Sequence, residues 1–235
     1  MQNLRVVLTQ KCAYSCCYCH RHDKRDTFVP REDVLDCIET AAMSGPSAVE
    51  LAGGDPLEYP DIAHLARDIN CIPNVKRVTL TTNGTRLNKD MVLDLWFSRV
   101  EGVNVHLDSC NAETFKRLTG CEQYLNDILG GIWMADARGL PVTVTAVIME
   151  ENGPDAPVMA GLAGQSGVTV RFVPAPGAIL DREALTASLR RAIPDLTREG
   201  EYLVSPALRG RLTFGTGVWG AFGMEKCTLL RPGAV

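Results

Sequence analysis

Six short, branched-aliphatic segments recur along the chain with helix-patterned stretches between them, and this alternation constrains the fold more than any other feature. The segments are LRVVLT (4–9), AVELAG (48–53), VKRVTLTT (75–82), GVNVHLD (102–108), PVTVTAVIM (141–149) and VTVRFVP (168–174). Their brevity and Val, Ile and Leu content suit strands buried in a parallel sheet. Between them, PREDVLDCIETAAMS opens with Pro30 and two acids, both favoured in a first helical turn, and stops before Gly45 and Pro46. PDIAHLARDIN, NKDMVLDLWFS with Asn88 as N-cap, CEQYLNDILGGIWMADARG ending at Gly139, and APVMAGLAGQS supply further helices. Such alternation specifies an α/β fold with a parallel sheet, and right-handed crossovers curl that sheet toward a barrel. Six units fall short of the eight that close one. The expectation is a partial (β/α)6 barrel over residues 1–176, followed by an extension or cap over 177–235. In that extension DREALTASLRRAI (181–193) reads as a helix, and the chain beyond Pro194 reads as irregular.

In parallel α/β proteins, ligands sit beyond the carboxyl ends of the strands. Four unusual sequences fall at that edge. CAYSCCYCHRH follows strand 1, GGDP (53–56) strand 2, TTNG (81–84) strand 3, and LDS (107–109) closes strand 4. Any one of them alone reads as a turn. Four on one rim point to a site.

The first packs Cys12, Cys16, Cys17 and Cys19 into eight residues. A disulfide knot, a zinc knuckle completed by His20 or His22, a redox C-x2-C pair, and an iron–sulfur site with an open coordination position all compete for this pattern. The chain holds nine cysteines in 235 residues, an odd count that fits a disulfide framework poorly. The opening MQNLRVVLTQK lacks the apolar core of a signal peptide, and no apolar run reaches the ~20 residues of a membrane span. With a net charge of −4 and no basic tract, neither nucleic acid nor a membrane surface is an expected partner. A cytoplasmic location is expected, where thiols serve metals, chemistry or packing. Cys37, Cys71, Cys110, Cys121 and Cys227 are isolated and read as free thiols.

Cys12, Cys16 and Cys19, spaced C-x3-C-x2-C with Tyr18 before the last, resemble the signature of radical S-adenosylmethionine (SAM) enzymes. GGDP resembles that superfamily's GGEP motif, with Asp55 in place of Glu. The chain is most similar to the molybdenum-cofactor GTP 3′,8-cyclase branch, through LTQKCAYSCCYCHRH, ELAGGDPLEYPDI, LTTNGTRL, VNVHLDSCNAETFKRLTG, GLPVTVTAVIMEEN and VRFVPAPG, in that family's order over about residues 4–176. The resemblance implies that the three cysteines hold one [4Fe–4S] cluster whose free iron chelates SAM. One electron, from a donor such as flavodoxin or ferredoxin, then cleaves SAM to a 5′-deoxyadenosyl radical that takes hydrogen from a small-molecule substrate. It also implies SAM contacts from the Tyr18 backbone, Gly53, Gly54, Asp55, Thr82, Asn83, Asp108 and strand 5 through Ile148 or Asn152. The branch usually has Ser where this chain has His106, which is kept as a candidate contact.

That branch carries a second three-cysteine group near its C-terminus, whereas this sequence has only Cys227 after Cys121. One cluster is therefore expected, with no GTP cyclisation, and the extension is expected on the substrate side. Arg171 on strand 6 is a candidate for meeting an anionic substrate group. Cys227 is a candidate hydrogen donor, with packing favoured, and Cys17 is expected not to bind iron. The alternatives are a non-catalytic zinc-binding protein and a radical SAM enzyme acting on a peptide or protein.

Overall fold

The computed structural model describes residues 1–19 and 26–215. The six expected strands are present in the expected order: β1 (Gln2–Val7), β2 (Ser47–Ala52), β3 (Val75–Thr82), β4 (Gly102–His106), β5 (Val142–Ile148) and β6 (Thr169–Pro174). Each pairs in parallel with the next. Helices α1 (Arg31–Ala42), α2 (Ile62–Cys71), α3 (Lys89–Phe97), α4 (Ala112–Thr119), α5 (Leu125–Ala137) and α6 (Ala156–Gln165) fill the crossovers. α1 packs on α2, α2 on α3 and α3 on α5, as in the outer layer of a barrel that does not close. Side chains alternate across each strand. One set, including Val6, Leu51, Leu80, Val105, Val144 and Phe172, is buried to within 1% of complete.

Two regions depart from the sequence expectation. α4 was not anticipated, although its cap chemistry is present. The Asn111 side chain accepts from the amides of Glu113 and Thr114, and Gly120 closes the helix at φ 71°. Beyond Pro194 the expected irregular chain is instead sheet. After α7 (Arg182–Ala192), β7 (Thr197–Glu199) and β8 (Tyr202–Val204) form a hairpin, and β9 (Arg211–Phe214) lies parallel against β6. β8 pairs antiparallel with β9, setting Leu203 opposite Leu212, both buried. The nine strands run in the order β1-β2-β3-β4-β5-β6-β9-β8-β7. No helix among the described residues is long and apolar enough to cross a membrane.

Candidate functional site

The cysteine loop leaves β1 and returns to the sheet at Phe28. A bridge between Thr9 and Phe28 ties its two ends, and Leu8 takes the Val29 amide at 2.9 Å. Helix α4 supports the loop from beside it. The amide of Ser15 donates to the carbonyl of Thr119 at 2.7 Å and that of Cys17 to Leu118 at 3.0 Å. These carbonyls belong to the last helical turn, which has no acceptor role left inside the helix. Cys12 and Cys16 are half-buried, while Cys17 and Cys19 are exposed. Burial pushes the Cys16 thiol well above its ordinary value, with Asp108, Cys12 and Cys19 adding to the effect. The three ligand-spaced thiols therefore share one neighbourhood. Cys17 is also raised by burial, but its further causes are Glu151 and Asp108 and include no other cysteine.

The end of β2 docks onto the start of that loop. The Gly54 amide donates to Thr9 at 2.7 Å and the Asp55 amide to Lys11 at 2.7 Å. A Cβ on Gly53, whose φ is 152°, would stand 2.5 Å from the Thr9 carbonyl oxygen. One on Gly54 would stand 2.2 Å from that of Lys11. These glycines let two backbones touch, a contact no side chain permits. Asp55 is fully buried. Its Oδ1 accepts from Thr82 Oγ1 at 2.6 Å and from the Leu57 amide at 3.1 Å, while Oδ2 accepts no hydrogen bond within the described residues. Burial raises its carboxyl to about 6.

β3, β4 and β5 complete the rim. Thr82 also accepts from the Gly84 amide, and the Asn83 amide nitrogen lies 3.5 Å from Cys12 Sγ. Tyr14 packs edge-on against Phe115 and its hydroxyl donates to the Asn83 carbonyl at 3.4 Å. Asp108 has both oxygens engaged by protein: Oδ2 accepts from the Tyr18 hydroxyl at 2.5 Å and Oδ1 from the Val147 amide at 2.8 Å. Burial holds its carboxyl at about 6. Asn152 is buried and donates to the carbonyls of Asp108 and Val147, each at 2.8 Å, while its oxygen accepts from the Met149 amide. Ile148 ends β5, half-buried, beside Pro174. Cys227, His20 and His22 lie outside the described residues.

Beneath the rim, the face of the sheet turned away from the helices is polar. Glu50 accepts from the Thr81 hydroxyl, Thr81 accepts from Asn104 Nδ2 at 3.3 Å, and Asn104 Oδ1 accepts from the Thr145 hydroxyl at 2.6 Å. This chain of side chains crosses four strands. Arg5 stands 3.6 Å from Glu50 at one end. His106 and Arg171 occupy the next level, in one register row on either side of Thr145. Burial lowers the His106 imidazole to about 4, with the positive charges of Arg5 and Arg171 adding to the effect, so the ring is neutral near pH 7.

The profile of the radical SAM superfamily matches residues 6–160. The chain belongs to the radical SAM superfamily. It is 31% identical over 176 residues to a GTP 3′,8-cyclase from Clostridium perfringens, covering 72% of this chain and 54% of that one. It is 32% identical over 176 residues to a probable GTP 3′,8-cyclase from Thermococcus kodakarensis, covering 73% and 56%. It thus spans about half the length of these curated relatives. In three dimensions it resembles Streptococcus suis SuiB bound to S-adenosylmethionine, with a TM-score of 0.69, 17% identity, and coverage of 91% of this chain and 50% of that one. The fold is that of a radical SAM partial barrel, and the protein is an enzyme. The non-catalytic zinc-binding alternative falls with that finding.

Radical SAM membership implies a [4Fe–4S] cluster and SAM, and the rim suits both. Among the described residues no three Cys, His, Asp or Glu side chains close on a single metal ion. A cluster of four irons has no need of ligands that meet at one atom. The Cys16 thiol, held protonated by burial, gives up its proton when iron arrives. The unfilled Oδ2 of Asp55 is a buried acceptor of the kind a ligand ammonium satisfies. Sequence reasoning passed over Tyr14, the Tyr18 hydroxyl and the polar chain from Glu50 to Thr145. The signal for the last was visible in the alternation of Thr, Asn and Arg with Val and Leu along β2 to β6.

Proposed function

We propose that this enzyme uses one [4Fe–4S] cluster, held by Cys12, Cys16 and Cys19, to act on a small polar molecule of the nucleoside, sugar or amino-acid type. When bound, the cluster and SAM supply a 5′-deoxyadenosyl radical that abstracts hydrogen from the substrate. The protein's part is positional. Asp55 Oδ2 takes the methionine ammonium of SAM, and the backbone at Gly53 and Gly54 lies alongside. Asn83 and Thr82 orient the loop and the carboxylate, and the Tyr18 backbone and Ile148 flank the adenosine. Asp108, with both oxygens engaged, fixes the cysteine loop to β4 and β5 rather than meeting the ribose directly.

The observation that carries the substrate class is the polar inner face. A closed eight-stranded barrel fills this space with packed aliphatic side chains. Here it presents two guanidiniums, a carboxylate, a neutral imidazole and a row of hydroxyls within reach of the rim. Arg171 meets an anionic group of the substrate. The β7–β8 hairpin of the extension stands on the substrate side, and its Glu201 and Tyr202 already act on the charge of Arg171. The electron donor is a small redox protein such as flavodoxin or ferredoxin, and the setting is the cytoplasm.

The test uses reconstituted, dithionite-reduced enzyme with SAM and a cell extract split by ultrafiltration. The small-molecule filtrate should accelerate 5′-deoxyadenosine formation over the rate with SAM alone. Acceleration only by the retained macromolecules would overturn the small-molecule assignment.

A further inference from the structure

We propose that His106 is a specificity-determining residue that accepts a hydrogen bond from a substrate hydroxyl, next to the anionic group met by Arg171. This rests on the substrate reading above and deepens it. The geometry is set by register. His106 is opposite Thr145, and Thr145 is opposite Arg171. Two strand spacings place the His106 and Arg171 backbones roughly 9–10 Å apart, with both side chains on the inner face. Their side chains face one interior space, close enough for the Arg171 charge to act on the imidazole. Thr145, between them, spends its hydroxyl on Asn104 one level down.

The imidazole supplies an acceptor at a level otherwise held by the Arg171 guanidinium and the engaged Thr145 hydroxyl. The imidazole makes no hydrogen bond among the described residues, yet it is half-buried and within the field of Arg5 and Arg171. A histidine turned toward two guanidiniums gains nothing from carrying a proton, so one ring nitrogen keeps a lone pair. Nearby, Glu50 Oε2 is buried and accepts no hydrogen bond, although Arg5 stands 3.6 Å away. Buried acceptors of this kind are costly unless a partner arrives. A ligand with hydroxyl groups beside a phosphate or carboxylate satisfies both. An apolar anion would leave both unfilled. A cationic amine would meet Arg5 and Arg171.

The test compares two probes of equal charge. Glycerol 3-phosphate carries hydroxyls, and propyl phosphate does not. Each is titrated calorimetrically into anaerobic, cluster- and SAM-loaded enzyme. The wild type should bind glycerol 3-phosphate about 10-fold more tightly, the factor expected of one well-made hydrogen bond. His106→Phe should reduce that preference to about 2-fold or less, and His106→Gln, which keeps an acceptor, should retain most of it. Equal binding of the two probes by the wild type, no binding of glycerol 3-phosphate, or an unchanged preference in His106→Phe each overturns the assignment. A loss of SAM affinity in His106→Phe with the preference intact would move His106 to the cofactor and overturn it too. The wild-type preparation is also scored for iron and for 5′-deoxyadenosine from SAM alone. If both are absent, the catalytic reading fails. If both are present without probe discrimination, only the His106 assignment fails.

Discussion

Leu80 and Thr81 are neighbours on β3 and belong to two differently built faces. Leu80 is fully buried on the helix side, in line with Leu51 on β2 and Val103 on β4. Thr81 faces the inner side, where it is one link between Glu50 and Asn104. The helix side gains stability from area removed from water, at about 25 cal/mol per Å². The inner side holds ionised and hydroxyl groups, linked from Glu50 to Thr145 by hydrogen bonds that offset part of the cost of burying them. A fold that needed its interior for stability would not keep Arg5, Glu50, His106 and Arg171 there. The polar face is therefore the functional one, and its chemistry is separable from the packing that supports it.

Substitutions on the two faces should differ accordingly. Phe172→Ala, on the helix side of β6 and tilted against Phe214, should lower unfolding free energy by about 3–5 kcal/mol in chemical denaturation. A loss below about 1 kcal/mol would show that this face is not the core. Thr81→Val keeps the shape and removes the donor to Glu50 and the acceptor for Asn104. It should cost about 1–3 kcal/mol, and Thr81→Ser should recover most of it. If Val were as stable as Thr, the polar chain would have no structural role. Tyr18→Phe leaves one oxygen of buried Asp108 without its donor. It should loosen the cysteine loop, seen as faster loss of iron to a chelator, with a smaller effect on the melting temperature.

The last effect is read against pH and concerns His106. Its imidazole is depressed to about 4 in the folded chain against about 6.5 when unfolded. Stability from keeping it neutral is complete above about pH 6.5 and is lost as pH falls toward 4, because the unfolded chain takes up the proton first. The difference in unfolding free energy between wild type and His106→Gln should therefore shift against the wild type over that window. A constant difference would mean that the ring is freely solvated.

Much of this was legible in the residues. Branched aliphatics marked β1 to β6 because a buried parallel strand needs them on at least one face, and the spacing of Cys12, Cys16 and Cys19 marked the rim. The inner face was harder to read. Polar residues in VKRVTLTT and VTVRFVP look like exceptions within apolar runs until the register aligns Thr81 with Asn104 and Thr145 with Arg171. β7, β8 and β9 were missed because three or four residues are too few to show a period, and they are held as a unit through β9, which pairs with β6. α4 was missed because its eight residues directly follow the rim turn, although Asn111 and Gly120 were both in view. GGDP was legible as a close-approach motif. That the approaching chain includes Thr9 and Lys11 of the cysteine loop required coordinates.

The central claim is that Cys12, Cys16 and Cys19, and not Cys17, hold a single cluster that activates SAM. The direct measurement is iron content and low-temperature electron paramagnetic resonance on anaerobically reconstituted, dithionite-reduced wild type and the four single Cys→Ala variants. The wild type and Cys17→Ala should each bind about four irons per chain, the content of one [4Fe–4S] cluster, with a reduced-cluster signal that shifts when SAM is added. Cys12→Ala, Cys16→Ala and Cys19→Ala should show neither. Iron near twice that content, or equal loss of iron in Cys17→Ala and Cys16→Ala, would contradict the account.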